Sequence, residues 1–225
     1  MTKEKFSLLL GLALTACLVF SSCNSDEKIN STPIQDEVIL AKAKELLTKE
    51  EFIVLRARAM MGPEDKTRLP EGCPLKYYFS WNTAAGKADR PLNIKLIKFT
   101  VGSMPLTVDF NIHCKFIPLN KWERDEYKGD GWIKFVGEKG DVGYIPNEKD
   151  EKGIYTDGEG GLGTVVGYLN VDTKEIEFST NFNVMLMQSF VYRQKIDYSK
   201  KLTYEQDFKQ YEEDLAKYKK EHGIL

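Results

Sequence analysis

Residues 75–81, LKYYFSW, set Leu75, Tyr77, Phe79 and Trp81 on one side and Lys76, Tyr78 and Ser80 on the other. A period of two marks a strand with one buried face, because successive side chains leave opposite sides of the pleat. The alternation returns in LNIKLIKFTV (92–101) and in LTVDFNIHCKF (106–116), where Leu106, Val108, Phe110, Ile112, Cys114 and Phe116 share a face. WIKFV (132–136) reads as a short strand. GTVVGYLNV and EIEFSTNF flank DTK, a hairpin signal, and SFVYRQKIDYS follows as a further strand. Phe110 and Phe178 are expected to point inward, since each shares its face with other apolar residues. Roughly seven to nine strands joined by Gly, Pro, Asn and Asp turns predict a mainly β domain, an antiparallel barrel or sandwich.

The pattern changes period at both ends. DEVILAKAKELL (36–47) places Val38, Ile39, Ala43, Leu46 and Leu47 along one side of a helix. In residues 48–61, Thr48 and Glu51 form a capping-box signature for a second helix, while FIVLRARAM alternates like a strand. Both readings stand at this point. GPEDKTRLPEGCP (62–74) is loop by its Pro and Gly content. The C-terminal helix is predicted over 203–222, opened by a Thr203–Gln206 capping box and stopped at Gly223. Tyr204, Phe208, Tyr211, Leu215 and Tyr218 recur along it at helical spacing. Such a stripe is expected to pack on the domain, with a protein partner or a membrane surface as the alternative.

Before the first helix the chain begins MTKEK and continues as an apolar run from Phe6 to about Phe20. A positive segment followed by a short apolar one has the build of a secretory signal. Small residues before a cysteine at its end resemble the lipobox of bacterial lipoproteins, in which the cysteine is acylated and becomes the first mature residue. Leu14-Thr15-Ala16-Cys17 follows that pattern residue by residue, and Phe20-Ser21-Ser22-Cys23 departs from it at its first position. Cleavage at Cys17 leaves an apolar LVF after the lipid, whereas cleavage at Cys23 leaves the polar NSDEKINSTP. Cys23 is therefore preferred, with Cys17 and an unlipidated signal as alternatives. The Ser-Ser-Cys ending and the acids after it also resemble surface-exported lipoproteins of the Bacteroidetes type. The organisation is then a signal over 1–22, a flexible tether over 23–35 and a single β-rich domain over 36–225. The expected location is the bacterial outer membrane, reached through the lipid anchor alone and facing the periplasm or the surface.

Charge changes this picture little. Lys and Arg number 32 against 34 Asp and Glu, a net charge of −2. No basic footprint for nucleic acid is present. Cys73 and Cys114 fall in the folded region, where a disulfide and two free core thiols are both open readings.

The motifs carry no catalytic constellation. GEGGLG (158–163) matches G-x-G-x-x-G, yet a strand follows it where a dinucleotide site needs a helix, so it reads as a loop or a glycine-relieved strand entry. His113 and His222 lie in different elements, with no cysteine or second histidine at ligand spacing, and no zinc site is expected. His113 and Cys114 are adjacent in a strand and point to opposite faces, so they make no thiol–base pair. NEKDEKGIYTDGE (147–159) is acidic but lacks the order of a calcium loop and reads as solvated. KWERDEYKGDGW (121–132) is the best binding hint: Trp122, Tyr127 and Trp132 alternate with Glu123, Asp125 and Asp130. Aromatic faces and carboxylates suit a glycan, so Trp122, Tyr127, Trp132, Asp125 and Asp130 are the candidate ligand-binding residues. The alternative is that one or two of these rings anchor the loop to the barrel.

A β-rich barrel followed by a helix resembles the calycin or lipocalin-like architecture. LNIKLIKFTVGSMPLTVDFNI and GYLNVDTKEIEF are similar to segments of small calycin-like lipoproteins of Bacteroidetes, over about two-thirds of the chain. The resemblance implies a closed or half-open barrel with ligand access at one mouth. The expectation is a lipid-anchored binding module for a small apolar ligand or a glycan, without cofactor or metal and not an enzyme. A non-enzymatic interaction subunit of a cell-surface complex, docking through the C-terminal helix or an edge strand, is the alternative.

Overall fold

The computed structural model describes residues 33–34, 36–83, 89–148, 158–159 and 162–224. The signal segment, Cys17, Cys23 and nearly all of the tether lie outside them, as does most of the acidic run at 147–159. The described chain belongs to one compact unit, Thr32–Leu225.

Among the described residues three helices and ten strands follow one another: α1 (Glu37–Thr48), β1 (Ile53–Met61), β2 (Glu64–Asp65), β3 (Cys73–Trp81), β4 (Leu92–Phe99), β5 (Leu106–Ile117), α2 (Lys121–Glu126), β6 (Trp132–Pro146), β7 (Gly158–Glu159), β8 (Gly163–Asn170), β9 (Glu175–Asn181), β10 (Met187–Lys195) and α3 (Lys200–Glu221). Strands β1, β3, β4, β5, β6, β8, β9 and β10 pair antiparallel in chain order, and β10 returns to β1. The result is a closed eight-stranded antiparallel barrel with an N-terminal and a C-terminal helix. The two-residue strands β2 and β7 add to its rim.

Residues 53–61 are strand, which resolves the ambiguous stretch. The Thr48 hydroxyl donates to Lys44 O at 2.8 Å, so it closes α1 rather than opening a second helix. Asp36 caps the start of α1, accepting from Val38 N and Ile39 N. Strand β6 is much longer than WIKFV suggested, because its glycines sit inside the strand. A Cβ on Gly137 would lie 2.7 Å from Cys114 Sγ, and one on Gly140 would lie 2.9 Å from Ile112 Cβ. Glycine here admits a bulky inward neighbour on β5, and the register slips by a bulge beside each.

The interior set follows from the registers. Ile53 pairs with Tyr77, Phe79 with Ile94, Leu96 with Phe110, Phe116 with Phe135, Gly167 with Phe178, and Val191 with Ala57. Phe110 and Phe178 are both buried, as their strand faces predict. Rings also meet between strands that do not pair. Phe135 lies 5.9 Å from Phe178, and Phe182, just past β9, packs edge-on against Phe110 at 5.5 Å. The room for this comes from β8: a Cβ on Gly167 would overlap Phe135 Cζ, and one on Gly163 would lie 2.5 Å from Phe110 Cε2. Gly163 is thus the glycine-relieved strand entry read from GEGGLG.

A bulge between Val191 and Gln194 interrupts the ladder of β10 with β9, and the seam ladder of β10 with β1 ends at Val191. The Gln194 side chain reaches across: Arg56 N donates to Gln194 Oε1 and Gln194 Nε2 donates to Arg56 O, each at 2.9 Å. One amide supplies both partners that the Arg56 backbone needs.

Cys73 and Cys114 are buried free thiols, which selects between the two readings of the pair. Leu92 pairs with both Trp81 and Cys114, so Cys114 lies level with the far end of β3 from Cys73. At ~3.3 Å per residue, that offset is on the order of 25 Å, far beyond disulfide reach.

Helix α3 packs on the outside of β1 and β3. Tyr211 is buried and donates to Thr67 O at 3.0 Å, and Lys76 Nζ stands 4.0 Å over the Tyr204 ring. The helix begins three residues before the predicted start. Asp197 accepts from Ser199 N at 2.9 Å ahead of it, while the Thr203 hydroxyl donates to Asp207 at 3.0 Å and caps nothing. Gly223, at φ +64°, ends it, with Ile224 N donating to Lys219 O at 2.9 Å. Among the described residues no helix is long and apolar enough to cross a membrane.

Candidate functional site

The stretch 121–132 folds as a short helix and turn laid over the outer wall of the barrel. Beneath it runs a row of outward side chains, Lys134 of β6, Tyr168 of β8 and Glu177 of β9, paired across neighbouring strands. Asn120 caps α2 through a complete capping box with Glu123. The same Glu123 carboxylate accepts from Lys134 Nζ and, at 2.8 Å, from the Tyr168 hydroxyl. Burial pushes this carboxyl up, but the Lys134 ammonium, the Asn120 N–H and the Tyr168 hydroxyl outweigh that and its pKa is lowered.

Tyr127 is the hinge of a second half. Its hydroxyl donates to Glu177, which also accepts from Arg193 Nε at 2.8 Å. Burial, then the Glu177 carboxylate, raises the Tyr127 pKa, so the phenol stays protonated and donates. Tyr168 stacks on the Tyr127 ring at 4.0 Å, and the Arg193 guanidinium stands over it at 4.7 Å. Trp132 leans on Tyr127 at 4.9 Å, again under Arg193, at 5.2 Å.

The five residues read from sequence as a glycan platform therefore part company. Tyr127 is 7% exposed and covered, so it has no face to offer a sugar. Trp132 is half-buried against it. Trp122 projects at 76% exposure, attended by Lys121 Nζ at 5.9 Å. Asp125 and Asp130 are exposed, and it is the Asp130 backbone that is engaged, accepting from Asn170 Nδ2 at 3.0 Å. Two rings anchor the loop and one reaches solvent. The carboxylates that hold the rings are Glu123 and Glu177, and the cations are Lys134 and Arg193. Lys134, Tyr168, Glu177 and Arg193 were missed because each occupies the polar slot of an alternating strand. Only the pairing of their strands brings them under α2.

His113 lies on β5 across from Asn93, and His222 stacks on Tyr218 at 4.0 Å at the end of α3. Among the described residues no group of three or more His, Cys, Asp or Glu is placed to hold a metal ion.

The second place of interest is the lumen with its two ends. Helix α1 covers one: Ala43 and Leu47 are fully buried, Ile34 N donates to Phe116 O at 2.9 Å, Lys42 pairs with Asp172 at 2.8 Å and Tyr198 donates to Leu46 O at 2.8 Å. At the other end the β9–β10 loop turns Phe182 inward and Met185 and Leu186 outward. Asn183, Met185 and Leu186 all have positive φ, +52°, +49° and +57°. Left-handed backbone is costly for side chains of this size and gathers where a segment holds a functional conformation. On the outer wall, a groove of about 310 Å³ runs between α3 and strands β3 and β4, lined by Lys76, Tyr78, Ile97, Lys98, Tyr204 and Phe208 among others.

The profile of a domain of unknown function, DUF4903, matches residues 23–223. No curated protein and no solved structure matches the chain significantly. With its barrel and all three described helices inside the matched span, the chain belongs to the DUF4903 family.

Proposed function

We propose that this protein is a lipid-anchored, extracytoplasmic binding module whose barrel receives one small, mostly apolar molecule. One observation carries the reading. The eight-stranded wall encloses a continuous aromatic and aliphatic interior, covered at one end by a helix and at the other by loops, among them the β9–β10 loop with its left-handed backbone. Barrels of eight strands have an interior that side chains fill or that holds one small ligand. The β9–β10 loop is the entrance, and Phe182 is its inner face. The Cys23 anchor and an outer-membrane location are part of this proposal, and their support is the lipobox-like ending at Cys23 with the polar stretch after it. No covalent chemistry is assigned. Burial pushes both the Cys73 and Cys114 thiols up, so neither supplies a thiolate near neutral pH.

The test has two arms on the full chain purified from membranes. Metabolic fatty-acid labelling should be lost in Cys23→Ala and kept in Cys17→Ala; the reverse rejects the anchor assignment. Solvent extraction of the purified protein, followed by mass spectrometry, should release an apolar compound in proportion to protein. Its replacement by a polar glycan, competed by Trp122→Ala, would move the site to the α2 loop.

The groove beside α3 favours a second reading, an interaction subunit of a cell-surface complex. Its exposed Ile97 and the aromatic flank of the helix offer a docking line for an apolar segment. Ile97→Glu would abolish co-purification of a protein partner in that case and leave extracted lipid unchanged.

A further inference from the structure

The barrel wall parts between two of its strands. The ladder of β3 with β4 joins Tyr78–Trp81 to Leu92–Lys95 and stops there. Beyond it, among the described residues, Cys73–Tyr77 pairs with β1 alone, and Leu96 and Phe99 pair with β5 alone. The facing edges of the two strands are thereby left without a ladder between them. The groove of about 310 Å³ opens at this parting, with Tyr204 and Phe208 of α3 along one side.

The β4 side is shaped by a bulge between Leu96 and Phe99. It leaves two successive residues exposed, Ile97 at 55% and Lys98 beside it. Lys98 sits at φ +50°, a left-handed backbone that is costly for a side chain of this size. Asp109 holds it there, its carboxylate accepting from Lys98 N at 2.8 Å. Bulges of this kind re-aim side chains, and this one sets an apolar group and an ammonium together on the edge of the groove. The α3 side is equally fixed. Tyr204 and Phe208 stack at 5.7 Å, and Lys76 pairs with Glu205 at 2.9 Å while standing 4.0 Å over the Tyr204 ring. The neighbouring acids Glu205 and Asp109 are thus both engaged. Lys95, directly across from Tyr78, and Lys98 have no ion-pair partner among the described residues. An apolar lining with an unsatisfied cationic rim complements a ligand that joins an apolar chain to an anion.

We propose that the parting between β3 and β4 is a binding site for a small anionic amphiphile, a free fatty acid of medium chain length, with its carboxylate at Lys98 and its chain along Ile97, Tyr204 and Phe208. The site lies on the outer wall and does not depend on the reading of the lumen. It gives the groove a small-molecule occupant in place of a protein segment.

The experiment cross-links the full chain, in membrane vesicles, to a decanoate that carries a terminal diazirine, and maps the label by peptide mass spectrometry. Label is expected on the β4 bulge and on the Tyr204–Phe208 turn of α3. Decanoate should compete at about tenfold lower concentration than decyltrimethylammonium, and acetate should not compete. Lys98→Asn removes the ammonium at a backbone that asparagine tolerates, and should lower the labelling about tenfold, while Lys98→Arg keeps it. Ile97→Asn should lower it by a similar factor of about ten through lost apolar contact. Both side chains are exposed, so melting temperatures that do not fall check the folding of the variants. Equal competition by the cationic amphiphile overturns the carboxylate–lysine contact and with it the proposal, on the unsubstituted chain alone. Label on the β9–β10 loop that is unchanged in Lys98→Asn and Ile97→Asn places the fatty acid in the lumen; it overturns the groove site and leaves the lumen reading standing. Absence of label from β4 and α3 overturns the groove site. Groove labelling as expected, in a protein that releases no apolar compound on extraction, supports this site and rejects the lumen reading alone.

Discussion

The Tyr77 ring stands edge-on to the Phe178 ring at 5.1 Å, although β3 and β9 share no ladder. The contact spans the lumen, so each ring supports the wall opposite its own. Phe178→Ala is expected to cost about 3–5 kcal/mol, and Phe110→Ala a similar amount through its contact with Phe182. Denaturant unfolding measures both. A loss below about 1 kcal/mol would place that ring outside the barrel.

Gly167→Ala is expected to be worse than its one-carbon change suggests. The new methyl would overlap Phe135 Cζ and lie 2.5 Å from Phe178 Cβ, in a wall where neither ring can swing to solvent. Overpacking of this kind costs typically 1–3 kcal/mol and can exceed that. Gly129→Ala meets nothing in space but sits at φ +90°, so a smaller cost from backbone strain alone is expected there. Melting curves of the two variants separate packing from strain.

The Glu123–Lys134 pair gives the outer network a pH dependence. The folded pKa of Glu123 is lowered. Its contribution to stability is therefore complete above the ordinary carboxylate value of 4.5 and is lost as the pH falls through the folded value. Lys134→Met is expected to cost about 3–5 kcal/mol, because Lys134 is almost wholly buried and its partner would be left unpaired. Lys134→Met with Glu123→Leu should recover most of that loss and flatten the pH profile below the ordinary carboxylate value of 4.5. Urea midpoints at several pH values test this.

Cys73 and Cys114 are expected to resist alkylation in the native protein and to react on unfolding. Both thiols are buried with their pKa raised by desolvation. Peptide mapping after iodoacetamide, with and without denaturant, reads each site separately. A Cys73–Cys114 cross-linked peptide would contradict the register that sets them far apart.

Most of the barrel could be read from period-two alternation, since every strand with one wet face carries that signal. Strand β6 reads short from sequence because Gly137, Gly140 and Gly143 interrupt the apolar count; the inward bulk of Ile112 and Cys114 explains the first two, while a Cβ on Gly143 would meet open space. The start of α3 was misplaced because Thr203 and Gln206 imitate a cap within the helix. The α2 loop was legible as aromatic and acidic, but Trp122 and Tyr127 have opposite fates that composition cannot separate. What decides between them is the row Lys134, Tyr168 and Glu177, which exists only once β6, β8 and β9 are side by side.

The Gln194 bridge to Arg56 joins residues more than a hundred positions apart, at the seam between the first and last barrel strands. A chain emerging from its N-terminus therefore carries an open edge on β1 until β10 arrives. Until then seven barrel strands wait with exposed backbone at both margins, and such edges recruit other chains. Shortening the protein by its last strand and helix would leave a sticky, uncurled sheet, and Gln194→Ala would make the full-length protein slower to seal and more prone to exchange strands between neighbours.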